Sequence, residues 1–378
     1  MSASASLPPS SNEDQTDNAI GKSNNAQVME ALNNLINHVK SDPKCSTNPP
    51  TLSHYKTLPD DVKKAYTLID NGALMIHSTS TKYTLVGKIN LKDQVKLGTD
   101  LLRGCELIGA ALHVLVQDNS GCSRAVRRLT QRAALAIFIN VLHLVESFED
   151  GTALDGNMGA QKTGAVWEAC DQVLKKLLPK GNRNAIRREI FTWTRETQDT
   201  MEEFQEMIDM GPGEASLVND TAVEEEDEEY DDFFGMGGEE HYSDDDFHIA
   251  KACLGLLKNS RGNMKIALET CEALGGKAQE TQEDRYFEAL LNIHEYARNV
   301  GEGVTDLGSL LYPPLSDLEE LQSQVGKQAK FIKTLQDYIL GLEGLPSNVL
   351  EMANILTNAA DTRCDEFNSA ISAAQGKR

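Results

Sequence analysis

The sequence predicts an all-α protein of two helical bundles joined by a disordered acidic linker. Aromatic residues make up only 6% of the chain, while Leu, Ala, Gln and Glu are plentiful, which favours helices over sheets. Apolar residues recur at spacings of three and four along most of the chain, and no alternating strand pattern interrupts them. A chain of 378 residues is long enough to build two separate cores.

The charge distribution indicates where the chain divides. The net charge is −22, and 21 acidic residues with no Lys or Arg lie between Arg195 and Lys251. The remaining sequence is therefore almost neutral. We expect four segments: a disordered tail at 1–26, a helical bundle at 27–212, an acidic disordered linker at 213–246 and a second helical bundle at 247–375.

The first bundle is predicted to contain six helices. A short apolar stripe runs from Val28 to Val39, and a longer helix follows a Pro- and Thr-rich loop. The turn Asp118-Asn119-Ser120-Gly121 separates two periodic segments, which predicts an antiparallel helix pair. Two further helices end at Pro179 and at Gly211-Pro212-Gly213.

The second bundle is predicted to contain four helices with short connections. The expected ranges are 247–273, 280–300, 315–342 and 347–373, separated by Gly275-Gly276, by Tyr312-Pro313-Pro314 and by Gly344-Leu345-Pro346. Before it, the acidic linker carries two short aromatic spots, Tyr230–Phe234 and Tyr242–Phe247, which we interpret as docking elements. The linker is otherwise too polar to offset the entropy of ordering.

No catalytic or cofactor-binding motif is present. The chain contains no phosphate-binding loop, no strand-led dinucleotide fingerprint, no HExxH, no GxSxG and no Cys/His cluster with zinc spacing. We therefore expect a protein that is not an enzyme and carries no cofactor or metal. The dense oxygen and imidazole groups at 239–248 fit either weak cation binding or a solvated acidic linker.

The cysteines, the hydropathy and the net charge limit where the protein is found and what it can bind. Seven scattered cysteines, odd in number and never in a CxxC pair, predict reduced thiols and a protein of the cytoplasm and nucleus. No apolar run approaches the roughly 18 residues of a membrane span, so we expect no membrane insertion. The negative charge disfavours direct binding of nucleic acid.

A heptad pattern in the second bundle is the clearest candidate partner motif. Its positions are Leu318, Leu321, Val325, Ile332, Leu335 and Ile339. The spacing is typical of a leucine zipper, but the flanking e and g positions offer almost no charge pairs and widen the apolar face. Two interpretations stay open: an exchangeable zipper helix and a helix packed inside its own bundle.

Two groups of basic residues precede the acidic linker in the sequence. The first is Arg124, Arg128 and Arg132, spaced four residues apart, and the second is Arg183, Arg187 and Arg188. The second group lies near the start of a helix that ends in acidic residues, the reverse of what the helix dipole favours. These groups are predicted either to hold the acidic linker as a salt-sensitive clasp or to form ordinary solvated faces.

Ser243 is a candidate phosphorylation site. Asp244, Asp245 and Asp246 follow it directly, which is the pattern that acid-directed kinases recognise. Phosphorylation would add a charge of about −1.5 to −2. The alternative is an unmodified serine.

Five sequence blocks together resemble a known family. They are Arg103-Gly-Cys-Glu-Leu-Ile-Gly-Ala-Ala-Leu, Val166-Trp167-Glu-Ala-Cys170, Leu217-Val-Asn-Asp-Thr221, Tyr242-Ser-Asp-Asp-Asp and Val304-Thr-Asp-Leu-Gly-Ser-Leu-Leu-Tyr-Pro-Pro314. Their order resembles that of the cyclin-D-binding protein family, also called the Grap2- and cyclin-D-interacting proteins. The resemblance covers most of the chain from about Gln27 onward.

The resemblance implies an architecture and a function. The expected architecture is two bundles of antiparallel helices like those of vinculin and talin. The expected function is non-catalytic binding of D-type cyclins and helix-loop-helix regulators, which restrains the cell cycle in nucleus and cytoplasm. A vinculin-like cytoskeletal adaptor and an acidic chaperone for basic proteins are the alternatives, and the oligomeric state is left open.

Overall fold

The protein is helical throughout the part of the chain that the structure describes. The structure is a computed structural model, and it describes residues 13–49, 52, 58–87, 89–154, 157–212, 241–281, 283–357 and 359–375. These ranges contain eleven α-helices and no β-strand, which confirms the predicted all-α class. The contacts divide the chain into two compact units, Met1–Ala185 and Ile186–Arg378.

The first unit is a bundle of five long helices. The antiparallel pair α2 and α3 forms its largest internal contact, α1 packs on α3 and α4, and α5 packs on α2 and α4. The helices are α1 Glu13–Ser41, α2 Asp60–Gly87, α3 Leu91–Leu115, α4 Arg124–Glu149 and α5 Met158–Leu174.

Helix α1 begins inside the segment that was predicted to be a disordered tail. It starts at Glu13, whereas the sequence placed the end of the tail at residue 26. The apolar stripe of this helix starts only near Val28, which is buried. Once the stripe has nucleated a helix, each added residue contributes one backbone hydrogen bond, so the helix extends beyond its buried face.

Helices α2 and α3 approach closely at two glycines. A Cβ added to Gly72 would lie 2.7 Å from the carbonyl oxygen of Gly104, and one added to Gly104 would lie 3.2 Å from the carbonyl oxygen of Gly72. The two backbones therefore meet where neither residue has a side chain. Helical packing at this distance requires glycine on both helices.

The second unit contains the remaining helices. Within it, α8 packs on α7 and α9, α11 packs on α7 and α9, and the short α10 contacts α7, α9 and α11. Its helices are α6 Asn182–Asp209, α7 Asp244–Thr281, α8 Asp284–Ser309, α9 Leu318–Leu340, α10 Ser347–Leu356 and α11 Ala359–Gln375. Only the first residues of α6, up to Ala185, belong to the first unit.

The division between the units therefore falls inside α6 and not at the predicted boundary after residue 212. The apolar face of α6 explains the difference, because Trp193 packs on Gly301 of α8, and an added Cβ there would lie 2.8 Å from the Cβ of Trp193. The acidic segment 213–240 lies outside the described residues. The helices that flank it, α6 from Ile186 onward and α7, both belong to the second unit.

Helix α4 is the one helix among the described residues that is long and apolar enough to cross a membrane. In the first unit α4 contacts α1, α3 and α5, and its buried residues include Ile137, Phe138 and Val141. Length and composition alone do not separate a core helix of this kind from a membrane span.

Candidate partner-binding surface

Tyr242 anchors the start of α7 to one end of the second unit. Its side chain is 1% exposed, and its hydroxyl donates a hydrogen bond to the carbonyl oxygen of Leu311. The hydroxyl oxygen of Tyr242 also lies 3.9 Å from the Sδ atom of Met207 on α6. Burial raises the pKa of Tyr242 well above its ordinary value, so the hydroxyl stays protonated and keeps donating. Tyr242 thereby joins α6, α7 and the segment after α8.

Ser243 caps the helix that follows. Its Oγ accepts a hydrogen bond of 3.2 Å from the backbone N–H of Asp246, and its carbonyl oxygen accepts one of 2.8 Å from the N–H of Phe247. Asp244 and Asp245 complete an acidic first turn, which the helix dipole stabilises. The serine side chain is exposed. As a phosphorylation site Ser243 stays a prediction.

Helix α6 places its own carboxylates beside this anchor. The hydroxyl of Tyr312 donates a hydrogen bond of 2.7 Å to Oε1 of Glu203, and the rings of Tyr312 and Phe204 lie 5.2 Å apart. The hydrogen bond to Glu203 raises the pKa of Tyr312. Tyr312 is 46% exposed, so an aromatic ring stands among acidic groups at the surface.

We call this region the acidic end surface, and define it by Glu203, Glu206, Asp209, Asp244, Asp245 and Tyr312. Within the described ranges, no ion pair neutralises Glu203, Glu206 or Asp244. Nζ of Lys258 donates a hydrogen bond of 2.7 Å to Oε1 of Gln205 on α6. The surface therefore keeps its negative charge.

The heptad residues lie in the core of the second unit. Leu321, Val325, Ile332, Leu335 and Ile339 are buried, and Leu318 is half-buried. Their helix, α9, contacts α7, α8, α10 and α11. In this conformation the heptad face is covered by helices of its own chain, which corresponds to the packed-helix interpretation. Binding of a partner by these residues stays a prediction.

The two basic groups have different surroundings. In the first, Arg124 is buried, Arg128 is half-buried and Arg132 is exposed. In the second, Arg183 is half-buried, and the Nε of Arg187 donates to Oε1 of Glu272 on α7. This ion pair offsets the unfavourable interaction of Arg187 with the positive end of the helix dipole.

Arg188 is exposed, and the proposed clasp with residues 213–246 lies mostly outside the described residues. Within the described residues 241–246, Tyr242 and Ser243 contact α6, α7 and the residues after α8, as described above. The clasp stays a prediction.

Sequence reasoning missed Arg127, which lies among the first basic group. Its side chain is 1% exposed. Its guanidinium donates to the carbonyl oxygens of Lys44 at 3.2 Å, Thr47 at 3.3 Å and Gln117 at 3.0 Å. Arg127 therefore holds the loop after α1 and the loop after α3 against α4. Its spacing in the sequence carried no signal that distinguished it from the other arginines of this helix.

The second unit also encloses a hydrogen-bonded pair of polar side chains that the sequence did not reveal. Nε2 of His294 on α8 lies 2.7 Å from Oε2 of Glu189 on α6, and the two side chains are 3% and 2% exposed. The ring of Trp193 covers the histidine at a centroid distance of 5.3 Å. The pair is shut off from solvent, so its role in this structure is to fix α6 against α8.

Three buried cysteines of the first unit have raised pKa values. Burial raises the pKa of Cys45 to about 11 and of Cys170 to about 12, and it raises that of Cys105 well above its ordinary value. These thiols are protonated at neutral pH and are poor nucleophiles. Among the described residues, no three His, Cys, Asp or Glu side chains converge as metal ligands would.

Comparison with known proteins finds a family model that matches part of the chain. Residues 68–210 match the family model described as Grap2 and cyclin-D-interacting, N-terminal. This range contains α3, α4, α5 and α6 and most of α2. The resemblance to the cyclin-D-binding protein family is confirmed.

Three relatives carry the same name. The chain is 24% identical over 269 residues to Cyclin-D1-binding protein 1 of Bos taurus, which covers 68% of this chain and 72% of the bovine protein. It is 29% identical over 156 residues to the Xenopus laevis homolog of Cyclin-D1-binding protein 1, and 25% identical over 224 residues to the Mus musculus protein. Those two matches span 42% and 58% of the relatives' own lengths.

The family blocks occupy defined places in the structure. The Tyr242 block and the block that ends at Pro314 meet, because Tyr242 donates to Leu311. In the first unit, Trp167 stacks on His77 with ring centroids 5.3 Å apart and donates from Nε1 to its carbonyl oxygen at 3.2 Å. Two blocks that are about 60 residues apart in sequence thus build one end of the second unit.

Proposed function

We propose that this chain is a non-catalytic, protein-binding regulator that binds a D-type cyclin and restrains the cell cycle. The observation that carries the proposal is the family match over residues 68–210, together with relatives that are named for binding cyclin D1. The folded helices of both units offer the rigid faces that such binding needs. Helix-loop-helix regulators are the second partner class, and the nucleus and cytoplasm are the places where both partners would be met.

The test is a titration of the purified full-length chain with a D-type cyclin from the same organism. We expect saturable one-to-one binding by calorimetry. A cyclin of another class, at the same concentration, serves as the specificity control and should not bind. Absence of saturable binding to the D-type cyclin would contradict the proposal.

A deletion separates the regulator from an acidic chaperone. Removal of residues 214–240 takes away much of the acid but leaves Tyr242, Ser243 and α7 in place. A regulator that uses its folded helices keeps its affinity for the cyclin in this variant and at 300 mM salt. A chaperone that uses diffuse acidic charge loses binding in both cases.

The same two samples test the adaptor alternative. A vinculin-like cytoskeletal adaptor would sediment with filamentous actin in proportion to the filament concentration. The proposed regulator stays in the supernatant. Sedimentation with actin in the absence of cyclin binding would replace the proposal by the adaptor.

A further inference from the structure

Helices α10 and α11, the last two helices of the described chain, bury few large side chains. The buried residues of α10 are Val349 and Ala353, and those of α11 are Ala360, Phe367, Ile371 and Ala374. Three of these six are alanines. In α9, by contrast, five large apolar heptad residues are buried in a helix of 23 residues. Because apolar burial is the main force that holds a helix on its bundle, α10 and α11 are held more weakly than α9.

The two helices are also interrupted where they could support each other. Helix α10 has only 10 residues and ends at Leu356, and α11 begins at Ala359. Ile355, beside the interruption, is 78% exposed. A helix of about 10 residues is marginal in water without tertiary contacts, and each helix end leaves backbone groups without intrahelical partners. Both helices therefore depend on their contacts with α7 and α9 to stay helical.

The far end of α11 does not close on α7. An open pocket of about 430 Å³ lies between the start of α7 and the last turns of α11. Four alanines line it, Ala252 on α7 and Ala370, Ala373 and Ala374 on α11, and the other lining residues are Asp245, His248, Lys251, Arg363 and Glu366. Alanine side chains are too short to fill such a gap, so few van der Waals contacts join the two helices there.

Under α10 and α11, helix α7 presents a buried amide. A Cβ added to Gly255 would lie 2.8 Å from Cδ of Arg363, and one added to Gly262 would lie 2.8 Å from Cδ1 of Leu356. Asn259 lies one turn from each glycine, and hence on the face of α7 that α10 and α11 cover. It is 5% exposed, and its Nδ2 atom has no hydrogen-bond partner in the described part of the chain.

This amide favours release of the covering helices. Nδ2 of Asn263 donates a hydrogen bond of 2.5 Å to Oδ1 of Asn259, which leaves the Nδ2 of Asn259 unsatisfied. Water can hydrate that group when α10 and α11 lift away from α7. Its burial therefore reduces the free energy that is gained when the two helices close.

Helix α11 crosses α9 beside the heptad residues. The Sγ of Cys364 lies 4.0 Å from the carbonyl oxygen of Val325, which is one of them. Nearby, Nζ of Lys333 pairs with Oδ2 of Asp361 at 3.1 Å, and the two side chains are 54% and 61% exposed. Ion pairs between exposed side chains stabilise little, so this contact adds only weakly to the hold of α11 on α9.

We propose that α10 and α11 form a releasable strap over α7 and α9. The strap opens while α7, α8 and α9 stay folded, and its opening uncovers the side of α9 that carries Val325. Access to the heptad residues is thus controlled by the last two helices. The inference goes beyond the proposed function, because it gives the second unit a conformational control that the family match does not supply.

The test is hydrogen–deuterium exchange of the native full-length chain, followed by mass spectrometry of its peptides. Conditions are chosen so that the exchange rate reports the equilibrium of opening. We expect amides of the strap to exchange about a hundredfold faster than those of α8 and α9, after correction for intrinsic rates. Equal protection of the strap and α9 would mean that the unit opens only as a whole, and would overturn the proposal.

The variant Phe367→Ala distinguishes a strap from a fraying helix end. Phe367 is 1% exposed and is the one aromatic residue among the buried side chains of α10 and α11. Its loss should speed exchange in both α10 and α11 by about tenfold, while α8 and α9 stay within about twofold of wild type. Faster exchange confined to the last turns of α11 would contradict a strap that opens as a unit.

A second variant tests the opposite direction and cannot act by unfolding the chain. Asn259→Leu/Asn263→Leu replaces the two buried amides of α7 by apolar groups of similar size, so we expect exchange of the strap to slow by about fivefold. The control is Asn292→Leu, an exposed position on α8, which should leave the strap within about twofold of wild type. Unchanged or faster exchange of the strap in the double variant contradicts the proposal.

Discussion

Arg127 shows how much a single buried cation can organise. A guanidinium has five donors in a rigid fork, and here its Nη1 and Nη2 atoms donate to three carbonyl oxygens. Burial lowers the pKa of Arg127, but the group stays charged at every physiological pH. Because the carbonyls of Lys44 and Thr47 belong to the loop after α1, the arginine fixes the path of the chain between α1 and α2.

Replacement of Arg127 by Met should therefore destabilise the first unit by about 2–4 kcal/mol. The methionine keeps much of the volume but takes the hydrogen-bond donor away from three carbonyl oxygens that hold the adjoining loops. The free energy of unfolding in urea measures the effect. Arg132→Met on the exposed face of the same helix is the control, with an expected change within about 0.5 kcal/mol. Similar losses in both variants would contradict this account.

The pair of Glu189 and His294 makes a second prediction at the residue scale. His294→Leu leaves the carboxylate of Glu189 buried without its histidine partner, so we expect a loss of about 3–5 kcal/mol in the stability of the second unit. The double variant Glu189→Leu/His294→Leu removes both polar groups and should recover most of that loss. A double-mutant cycle by denaturant unfolding gives the coupling. A coupling near zero would mean that the pair does not act as a unit.

The sequence alone could not predict that Arg127, Glu189 and His294 are buried. Arg124, Arg127, Arg128 and Arg132 lie within nine positions, and only the loops that pack against α4 decide which of them is buried. Glu189 and His294 are 105 positions apart, and each lies on a helix that carries many exposed polar residues. A helical pattern predicts which face is apolar, but not which polar group crosses into the core.

At the scale of helices, the close approach of α2 and α3 depends on two missing side chains. Gly72→Ala would place a methyl group 2.7 Å from the carbonyl oxygen of Gly104, and backbone atoms cannot move aside as a flexible side chain can. The helices must separate locally, and the packing around Ile76 and Ile108 opens with them.

We expect Gly72→Ala to lower the free energy of unfolding by about 2 kcal/mol. The matched control is Gly164→Ala on α5, where an added Cβ has no neighbour within 4 Å. That substitution should raise the stability by about 0.5–1 kcal/mol, because alanine favours the helical conformation over glycine. Both changes are measured by urea unfolding. A stabilised Gly72→Ala variant would mean that the crossing is looser than described.

Helix periodicity predicted most elements of the fold, and the failures have physical causes. The antiparallel pair around Asp118–Gly121 was predicted correctly as α3 and α4. The break expected at Gly275-Gly276 does not occur, because α7 continues to Thr281. Glycine disfavours a helix by only about 1 kcal/mol, which burial of Leu274 and Ala278 on either side offsets. The predicted single helix at 347–373 is instead two, α10 and α11.

At the scale of the whole molecule, the thiols give a measure of how tightly the two cores are closed. All seven cysteines are free, six are buried, and Cys364 is partly exposed. Burial raises the pKa of Cys364 less strongly than that of Cys253, which is fully enclosed. The sequence predicted reduced thiols, but not which of them solvent can reach.

We expect one fast-reacting thiol in the native protein at pH 8, that of Cys364. A pKa of about 11 for Cys45 leaves about one thiolate in a thousand at that pH, so reaction with a disulfide reagent is slow. Raising the pH increases the thiolate fraction, and the rates of the buried thiols should rise with it. The assay is release of the thionitrobenzoate chromophore, with Cys364→Ser as the control and the unfolded chain as the count of seven. Rapid reaction of a second thiol in the native chain would contradict the described burial.

Because Tyr242 is anchored beside the end of α6, the length of the acidic segment can change with little effect on folding. The Tyr242 hydroxyl lies 3.9 Å from Met207, so the chain leaves the second unit after α6 and returns to it at the same point. Both flanks of the segment 213–240 therefore belong to the second unit. The entropy of closing a loop rises only with the logarithm of its length, so we expect doubling the segment to change the free energy of unfolding by about 0.6 kcal/mol. Insertions and deletions there are nearly neutral for folding, so the number of acidic residues can drift or be selected freely while the helices stay as they are.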